Sequence, residues 1–201
     1  MRTFYFLYMD NLDKLKQLVY SINPLDDDEW NTFTQYLTFK DYNKGDYIIK
    51  QGETANTIYY IEKGITRNYF THNGKEFTVD FHFDGELVSA FYSIITGMPS
   101  VVSVEIIEST SIIALPYKQL TSYYSSSLKI SNVGRKIAEM QYTHRLKKEM
   151  DLLSLTAEER YNKLLKRNPR VVKSISVKHI SSYLGIHPES LSRIRKMYVK
   201  S

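Results

Sequence analysis

The chain has 201 residues, of which 42% are hydrophobic and 24% are charged, the ordinary balance of a protein that buries a core. It contains no cysteine, which excludes disulfides, thiolate zinc sites and cysteine-ligated iron–sulfur clusters. No apolar run approaches the ~20 residues that span a bilayer, and the N-terminus has no signal-peptide core. We therefore expect a cytoplasmic protein.

The net charge of +5 is distributed unevenly along the chain. Residues 152–201 carry 11 basic and 3 acidic side chains, a net charge of +8, whereas the remainder carries 16 basic and 19 acidic side chains, a net charge of −3. A basic segment joined to a slightly acidic body is typical of a nucleic-acid-binding protein. A solubilising basic surface would explain the same charges without a DNA partner.

The N-terminal part predicts two helices. Apolar residues recur at helical spacing from Leu12 to Val19, and Pro24 ends this pattern. The acidic stretch between Pro24 and Trp30 predicts the start of a second helix, because acidic side chains stabilise a first helical turn.

The pattern changes between about Phe39 and Tyr117, where short β-rich runs alternate with glycine or asparagine. The predicted strands are Asp46–Lys50, Thr57–Lys63, Ile65–Thr71, Glu76–His82, Val101–Ile107 and Ser111–Leu115. The Asn73-Gly74 pair predicts a tight hairpin turn. Many short strands without intervening helices predict an antiparallel barrel or jelly roll.

After Pro116 the pattern becomes helical again. A 3-4-3-4 spacing, which is typical of a coiled-coil seam, joins five residues: Ile130, Val133, Ile137, Met140 and His144. We expect this seam to be the interface of a homodimer, although a core helix within one chain would show the same pattern. A capping box at Thr156–Glu159 then predicts the start of another helix.

The segment Val177–Lys196 predicts two short helices that meet at Gly185, where the chain must turn sharply. Ile180 and Leu184 share one face of the first helix, four residues apart. Pro188 suits the first position of the second helix, after His187 as its N-cap. The face that remains is polar and cationic, and it predicts a helix-turn-helix that reads DNA.

The order of helix, β-roll, long helix and helix-turn-helix resembles the bacterial CRP/FNR family of transcription regulators. The resemblance rests on the glycine pattern of Gly45, Gly52, Gly64 and Gly85 and on the segment Ile180–Arg193. It implies an α+β fold in three parts. These are a β-roll (jelly-roll) sensor domain with flanking helices that is similar to a cyclic-nucleotide-binding domain (1–127), a central dimerisation helix (128–153) and an all-α helix-turn-helix domain (154–201).

The resemblance also implies the DNA-reading residues. The Glu and Arg that the family places four residues apart fall on Glu189 and Arg193, where Arg can contact guanine and Glu can contact cytosine. The family position that is often Arg is Pro188 here, so we expect a different consensus site. The full predicted DNA-binding set is Lys178, His187, Glu189, Ser190, Arg193, Arg195 and Lys196, and Lys200 is a further predicted phosphate contact.

The sensor pocket departs from the family. In members that bind cyclic AMP, a Glu holds the ribose and an Arg the phosphate, but these positions fall on Ala90 and Ser100. A buried phosphate without a paired cation is heavily penalised, so we expect no cyclic AMP and no other resident cofactor. The predicted pocket residues are Gly85, Glu86, Ser89, Ala90, Ser100 and Val101.

The predicted function is therefore a homodimeric regulator that binds double-stranded DNA, with RNA polymerase and a small-molecule effector of unidentified chemistry as further partners that the resemblance implies. The five histidines show no metal spacing, and the sequence lacks a glycine-rich phosphate loop or nucleophile motif, so we expect neither a metal site nor an enzyme. The alternative is a degenerate sensor that acts mainly through protein–protein contacts.

Overall fold

The computed structural model describes residues 12–199 of the chain, and the side chains of residues 12–196. The expectation about an N-terminal signal and the predicted phosphate contact Lys200 lie outside these residues. Helix α1 spans Asp13–Ile22 and α2 spans Asp27–Thr34. The Asp26 side chain accepts a hydrogen bond from the Glu29 backbone amide, and the Glu29 side chain accepts one from the Asp26 backbone amide. This capping box starts α2 where the sequence predicts a helix.

Six strands form an antiparallel sheet that makes up the β-roll. They are β1 (Thr38–Tyr42), β2 (Tyr47–Ile49), β3 (Thr57–His72), β4 (Lys75–His82), β5 (Leu87–Val88) and β6 (Ser103–Pro116). The main path has the order β1-β6-β3-β4, while β2 pairs with β6 and β5 pairs with β3. Strand β4 therefore lies at an edge of the main path.

Strands β3 and β6 each merge two predicted strands, so the predicted break at Gly64 is wrong. The pairing of β3 with β6 shifts register on both sides of Gly64, which has φ +123°. A Cβ at Gly64 would lie 2.7 Å from the Thr110 Cα. The glycine thus permits a close approach inside one irregular strand and does not end it.

The hairpin between β3 and β4 is confirmed. Asn73 and Gly74 both have positive φ, at 50° and 72°, and His72 pairs with Lys75 across the turn. A two-residue turn of this kind fits the twist of the strands that it connects.

The remaining elements are helical. They are α3 (Phe91–Thr96), α4 (Tyr117–Ser122), a 3-10 turn (Tyr123–Ser125), α5 (Leu128–Ser154), α6 (Ala157–Arg167), α7 (Val171–Ser174), α8 (Val177–Leu184) and α9 (Pro188–Val199). The capping box predicted at Thr156–Glu159 starts α6. Gly185 has φ +68° between α8 and α9, and α9 starts at Pro188, as the sequence predicts.

The β-roll and the C-terminal helices share one hydrophobic core. Roll residues such as Phe81 and Phe83 pack in a single cluster with residues such as Leu164, Ile180 and Leu191 of the helices. Trp30 lies in a different cluster, which α1, α2 and the start of α5 form against the other side of the roll. The sequence boundary before residue 154 thus separates segments that are packed together.

The described residues were compared with the requirements of a membrane-spanning helix and of a metal site. Within residues 12–199, no helix combines the length and the apolar character needed to cross a membrane. The same part of the chain contains no cluster of three or more acidic, histidine or cysteine side chains arranged to hold a metal ion.

Candidate nucleic-acid interface and sensor cavity

Helix α9 presents an exposed polar face. Leu191 and Ile194 are buried in the shared core and fix the orientation of the helix. Glu189, Arg193 and Lys196 are exposed on α9. Ser190 is half-buried, and its hydroxyl lies 3.3 Å from a guanidinium nitrogen of Arg193. The structure therefore brings most of the predicted DNA-reading residues onto one accessible surface at the start of α9.

Arg195 differs from its predicted place. Its Nε donates a hydrogen bond to the Tyr161 hydroxyl at 3.2 Å, and its guanidinium lies 5.8 Å from the centre of the Tyr161 ring. Because this contact turns the side chain towards α6, Arg195 helps to pack α9 and is not part of the exposed cationic face.

The other two members of the predicted set lie near the ends of their helices. His187 is exposed directly before α9. Lys178 is exposed on α8, and its ammonium lies 3.8 Å from the Glu76 carboxylate of β4. Lys178 is thus close to an acidic group of the roll and keeps most of its surface accessible to solvent.

The roll encloses a cavity of about 120 Å³. Of the predicted pocket residues, Ser89 and Ala90 line it, together with residues of β2, β3 and the segment before β3. Its one charged lining residue within the described chain is Glu53, a carboxylate. The cavity therefore offers an anionic ligand no cation among its lining side chains.

The other predicted pocket residues have different surroundings. Ser100 is only 3% exposed, and its hydroxyl donates to the Val102 carbonyl at 2.6 Å and accepts from the Val102 amide at 3.2 Å. Gly85 forms a turn with φ +83°, and Val101 is exposed. Glu86 accepts two hydrogen bonds from Arg167. These four residues do not line the cavity.

The predicted dimer seam faces its own chain over most of its length. Ile130 and Val133 are buried in the cluster with α1 and α2, and Ile137 packs against it. His144 contacts Asp80 of the roll, and Met140 alone among the five is an exposed apolar side chain. The burial of Ile130 and Val133 leaves them no surface for a second chain, which corrects the predicted interface.

A different stripe of α5 is exposed and apolar. Its members follow one another at intervals of three or four residues on one side of the helix and are Ala138, Tyr142, Leu146, Met150 and Leu153. Tyr142 is 70% exposed and Leu153 is 83% exposed. This surface, the α5 stripe, is a continuous apolar row on a part of the central helix that is exposed on most sides.

Sequence reasoning missed Asp80, which lies on β4 at the junction of roll and helices. Its carboxylate lies 3.1 Å from His144 Nε2, 3.0 Å from an Arg167 nitrogen and 3.7 Å from Lys148 Nζ. Burial would raise the pKa of Asp80, but the His144 hydrogen bond and the nearby cationic groups outweigh it and hold the pKa well below its usual range. Burial lowers the pKa of Lys148 to about 8, against the opposing effect of Asp80.

The comparison with known families concerns the roll. Residues 39–127 match the family model of the cyclic nucleotide-binding domain. No curated protein sequence matches the chain. The match concerns the architecture of the roll, whereas the ligand depends on the residues that line the cavity.

Solved structures extend the likeness beyond residues 39–127. FixK2 from Bradyrhizobium japonicum has 22% identity and a TM-score of 0.66, over 82% of this chain and 85% of that protein. A CRP/FNR-family regulator from Eubacterium rectale has 18% identity and a TM-score of 0.67, over 88% and 85%. The c-di-GMP responsive regulator CLP from Xanthomonas campestris has 17% identity and a TM-score of 0.63, over 87% and 92%. The chain thus has the fold of the CRP/FNR transcription regulators.

Proposed function

We propose that the chain is a transcription regulator that binds double-stranded DNA through a helix-turn-helix formed by α8 and α9. The observation that carries this proposal is the exposed polar face of α9, with Glu189 and Arg193 one helical turn apart above the buried Leu191 and Ile194. Gly185 supplies the positive φ of the turn between the helices. In such a motif the second helix enters the major groove.

The chemistry of this face fits the edges of base pairs. Arg193 can donate two hydrogen bonds to guanine, and Glu189 can accept one from cytosine. Lys196 and Lys178 are exposed cations that can contact backbone phosphates, which position a protein on DNA without reading its sequence. Arg195 is assigned to packing against Tyr161 and has no direct role in this interface.

We propose further that the protein binds DNA as a homodimer, paired through the α5 stripe. A two-fold axis through this stripe presents two copies of α9 to successive major grooves, about 34 Å apart, and so selects a near-palindromic site. The stripe supports this arrangement because it is apolar, exposed and carried by the helix that leads into the DNA-reading helices.

The proposed regulator does not use cyclic AMP as its effector. The cavity lining contains the Glu53 carboxylate and no cation, and the Ser100 hydroxyl is already hydrogen-bonded within its own loop. We expect titration calorimetry with millimolar cyclic AMP to show no heat of binding. A phosphate in the roll cavity would lose its hydration without gaining a cationic partner. Saturable binding would contradict this assignment, and any effector of the roll must have another chemistry.

The salt dependence of DNA binding tests the proposed function. Fluorescence anisotropy with a labelled duplex of mixed sequence should show binding whose affinity falls steeply as salt rises, with a log–log slope of about 0.9 for each phosphate contact. Absence of binding at low salt by the folded protein would contradict the proposal. Salt-insensitive association with another protein in place of DNA would favour the degenerate-sensor alternative.

A further inference from the structure

The free edge of β4 is covered by side chains from three helices. Lys148 of α5 donates to the Val79 carbonyl, and Arg167 of α6 donates to the Phe81 carbonyl at 2.9 Å. Ser182 of α8 accepts from the Thr78 amide at 2.9 Å and donates to the Glu76 carbonyl. The unpaired backbone groups of an edge strand thus serve as an attachment line for the C-terminal half of the chain.

Asp80 lies in the same stretch of β4, and its carboxylate contacts two helices. Oδ2 faces α5, where His144 lies at 3.1 Å and Lys148 at 3.7 Å. Oδ1 faces α6, where Arg167 lies at 3.0 Å. The side chain of Asp80 is 11% exposed, so these contacts are shielded from solvent and salt more than surface ion pairs are.

The two helices that Asp80 connects meet at a short joint. Helix α5 ends at Ser154 and α6 begins at Ala157, so Leu155 and Thr156 alone separate them, both in extended conformation. A two-residue extended joint does not by itself fix the angle between its helices. The angle therefore depends on contacts made on both sides of the joint. The Lys163–Asp151 ion pair, at 2.6 Å, joins the helices directly, and Asp80 adds contacts to both helices from strand β4.

We propose that Asp80 is a positioning residue that sets the angle between the α5 stripe and the DNA-reading helices, and thereby the half-site spacing that the dimer accepts. The proposal rests on the proposed function, since it concerns how two copies of α9 are held relative to their shared axis. Asp80 does not contact DNA, because its carboxylate is enclosed by α5 and α6.

Loss of the Asp80 charge has a defined consequence for this junction. Arg167 keeps its two hydrogen bonds to Glu86, so α6 stays attached to the roll. Lys148 and His144 then lose their acidic partner, and the cations of α5 and α6 repel each other across the joint. Lys148 keeps only its hydrogen bond to the Val79 carbonyl as an attachment to β4. We therefore expect the angle between the helices to vary while α8 and α9 remain folded on the shared core.

Asp80→Asn tests the proposal, because the amide keeps the shape of the side chain and removes its charge. The readout is anisotropy with three palindromic duplexes, one with the preferred spacing and two with one base pair added or removed, and with a single half-site. Wild-type affinity should fall at least about tenfold on either change of spacing, because both half-sites no longer engage together. For Asp80→Asn the fall should be less than about threefold, with half-site affinity unchanged within about twofold.

Glu139→Gln is the matched control, since it removes an acidic partner from an exposed ion pair within α5 and should leave the spacing preference intact. If Asp80→Asn does not fold, as judged by circular dichroism, Lys148→Met is the second variant. It weakens the same attachment of α5 to β4, because it removes both the contact with Asp80 and the hydrogen bond to the Val79 carbonyl. An unchanged spacing preference in the folded variant overturns the proposal, and so does an equal loss of half-site binding. Absence of DNA binding by the wild type would instead overturn the proposed function.

Discussion

Among the side chains that the structure describes, Arg193 is hydrogen-bonded to Ser190 and forms no ion pair. Arg167 and Arg195 are both engaged by neighbouring side chains, whereas Arg193 is exposed and lies beside Ser190 at the start of α9. A guanidinium that has no ion pair among the described residues can contact a guanine without breaking one. We therefore assign direct base reading to Arg193 and structural roles to the other two arginines.

Replacing Arg193 should relax base discrimination at one position. We expect Arg193→Ala to lose about 1–3 kcal/mol of binding free energy at the cognate base pair and little at duplexes already changed there. Anisotropy with single-base-pair variants of the site measures this. The control is Lys173→Ala, which removes an exposed cation from α7, away from α9. Equal discrimination by Arg193→Ala and the wild type would show that the contact is misassigned.

His179 makes stability depend on pH. Burial, with Arg67 nearby, lowers the pKa of His179 to about 4 from its ordinary value of 6.5. The unfolded chain therefore takes up a proton below about pH 6.5 that the folded chain rejects until about pH 4, so the free energy of unfolding falls as pH falls through this window. Burial lowers the pKa of His82 as well, which acts in the same direction.

We expect His179→Gln to flatten this dependence. Thermal midpoints measured between pH 4 and about 7 should decline less steeply for the variant than for the wild type, because one proton-linked group has been removed. His187→Gln, at an exposed position before α9, is the control and should keep the wild-type slope. Identical slopes for His179→Gln and the wild type would mean that His179 is not responsible.

The sequence could predict which residues share a helix face, because that depends only on local spacing. Glu189 and Arg193 lie four apart on one helix, so their shared face could be read from the sequence. Arg195 and Asp80 could not be assigned in this way, because their partners, Tyr161 and Arg167, are far away in the chain. A charged residue in a strand gives no local signal that it will bridge two helices.

At the scale of elements, the central helix shows why an apolar pattern does not identify a partner. Both faces of α5 carry apolar residues at helical spacing, and the sequence favoured the face with Ile130 and Val133. That face is covered by α1 and α2, whose packing is not encoded in α5 itself. That the α5 stripe stays exposed while Ile130 and Val133 are buried could be established only after the internal contacts were known.

A charge in the α5 stripe should weaken the proposed dimer. We expect Leu146→Asp to shift the protein towards monomer, because a carboxylate would be desolvated between two apolar helices. Sedimentation velocity over a range of concentrations measures the change. Lys147→Asp, which introduces the same acidic side chain at the adjacent exposed position, should leave the dimer largely intact. A dimer of unchanged strength in Leu146→Asp would place the interface elsewhere.

The strands show a second limit of sequence patterns. The hairpin at Asn73-Gly74 was predicted because its two residues favour positive φ, and the structure has that turn. Gly64 also has positive φ, but it lies within a long strand, where it allows close approach to Thr110. A glycine signals an unusual backbone conformation without telling whether the strand ends there.

For the whole molecule, the shared core predicts that the roll and the C-terminal helices unfold together. Phe81 and Phe83 of the roll pack with Leu164 of α6, so neither part has a complete core without the other. We expect Leu164→Ala to lower stability by about 2–5 kcal/mol. Trp30, the sole tryptophan of the chain, lies in the other cluster and provides a distant probe.

The test compares two probes of unfolding in the Leu164→Ala variant. Trp30 fluorescence and far-ultraviolet circular dichroism should shift by the same amount and keep coincident midpoints, because the perturbation spreads through one cooperative unit. Two separate transitions, with the Trp30 midpoint unchanged, would show that the C-terminal helices form an independent domain, as the sequence boundary at residue 154 implies.

Purified protein without added ligand can be used to select bound sequences from random duplex DNA. This selection is the decisive experiment for the proposal that the chain is a dimeric, sequence-specific DNA-binding protein. We expect enrichment of a near-palindrome whose half-sites lie one helical turn apart, with a G·C base pair at the position that Arg193 reads. A folded, dimeric sample that enriches no sequence would contradict it.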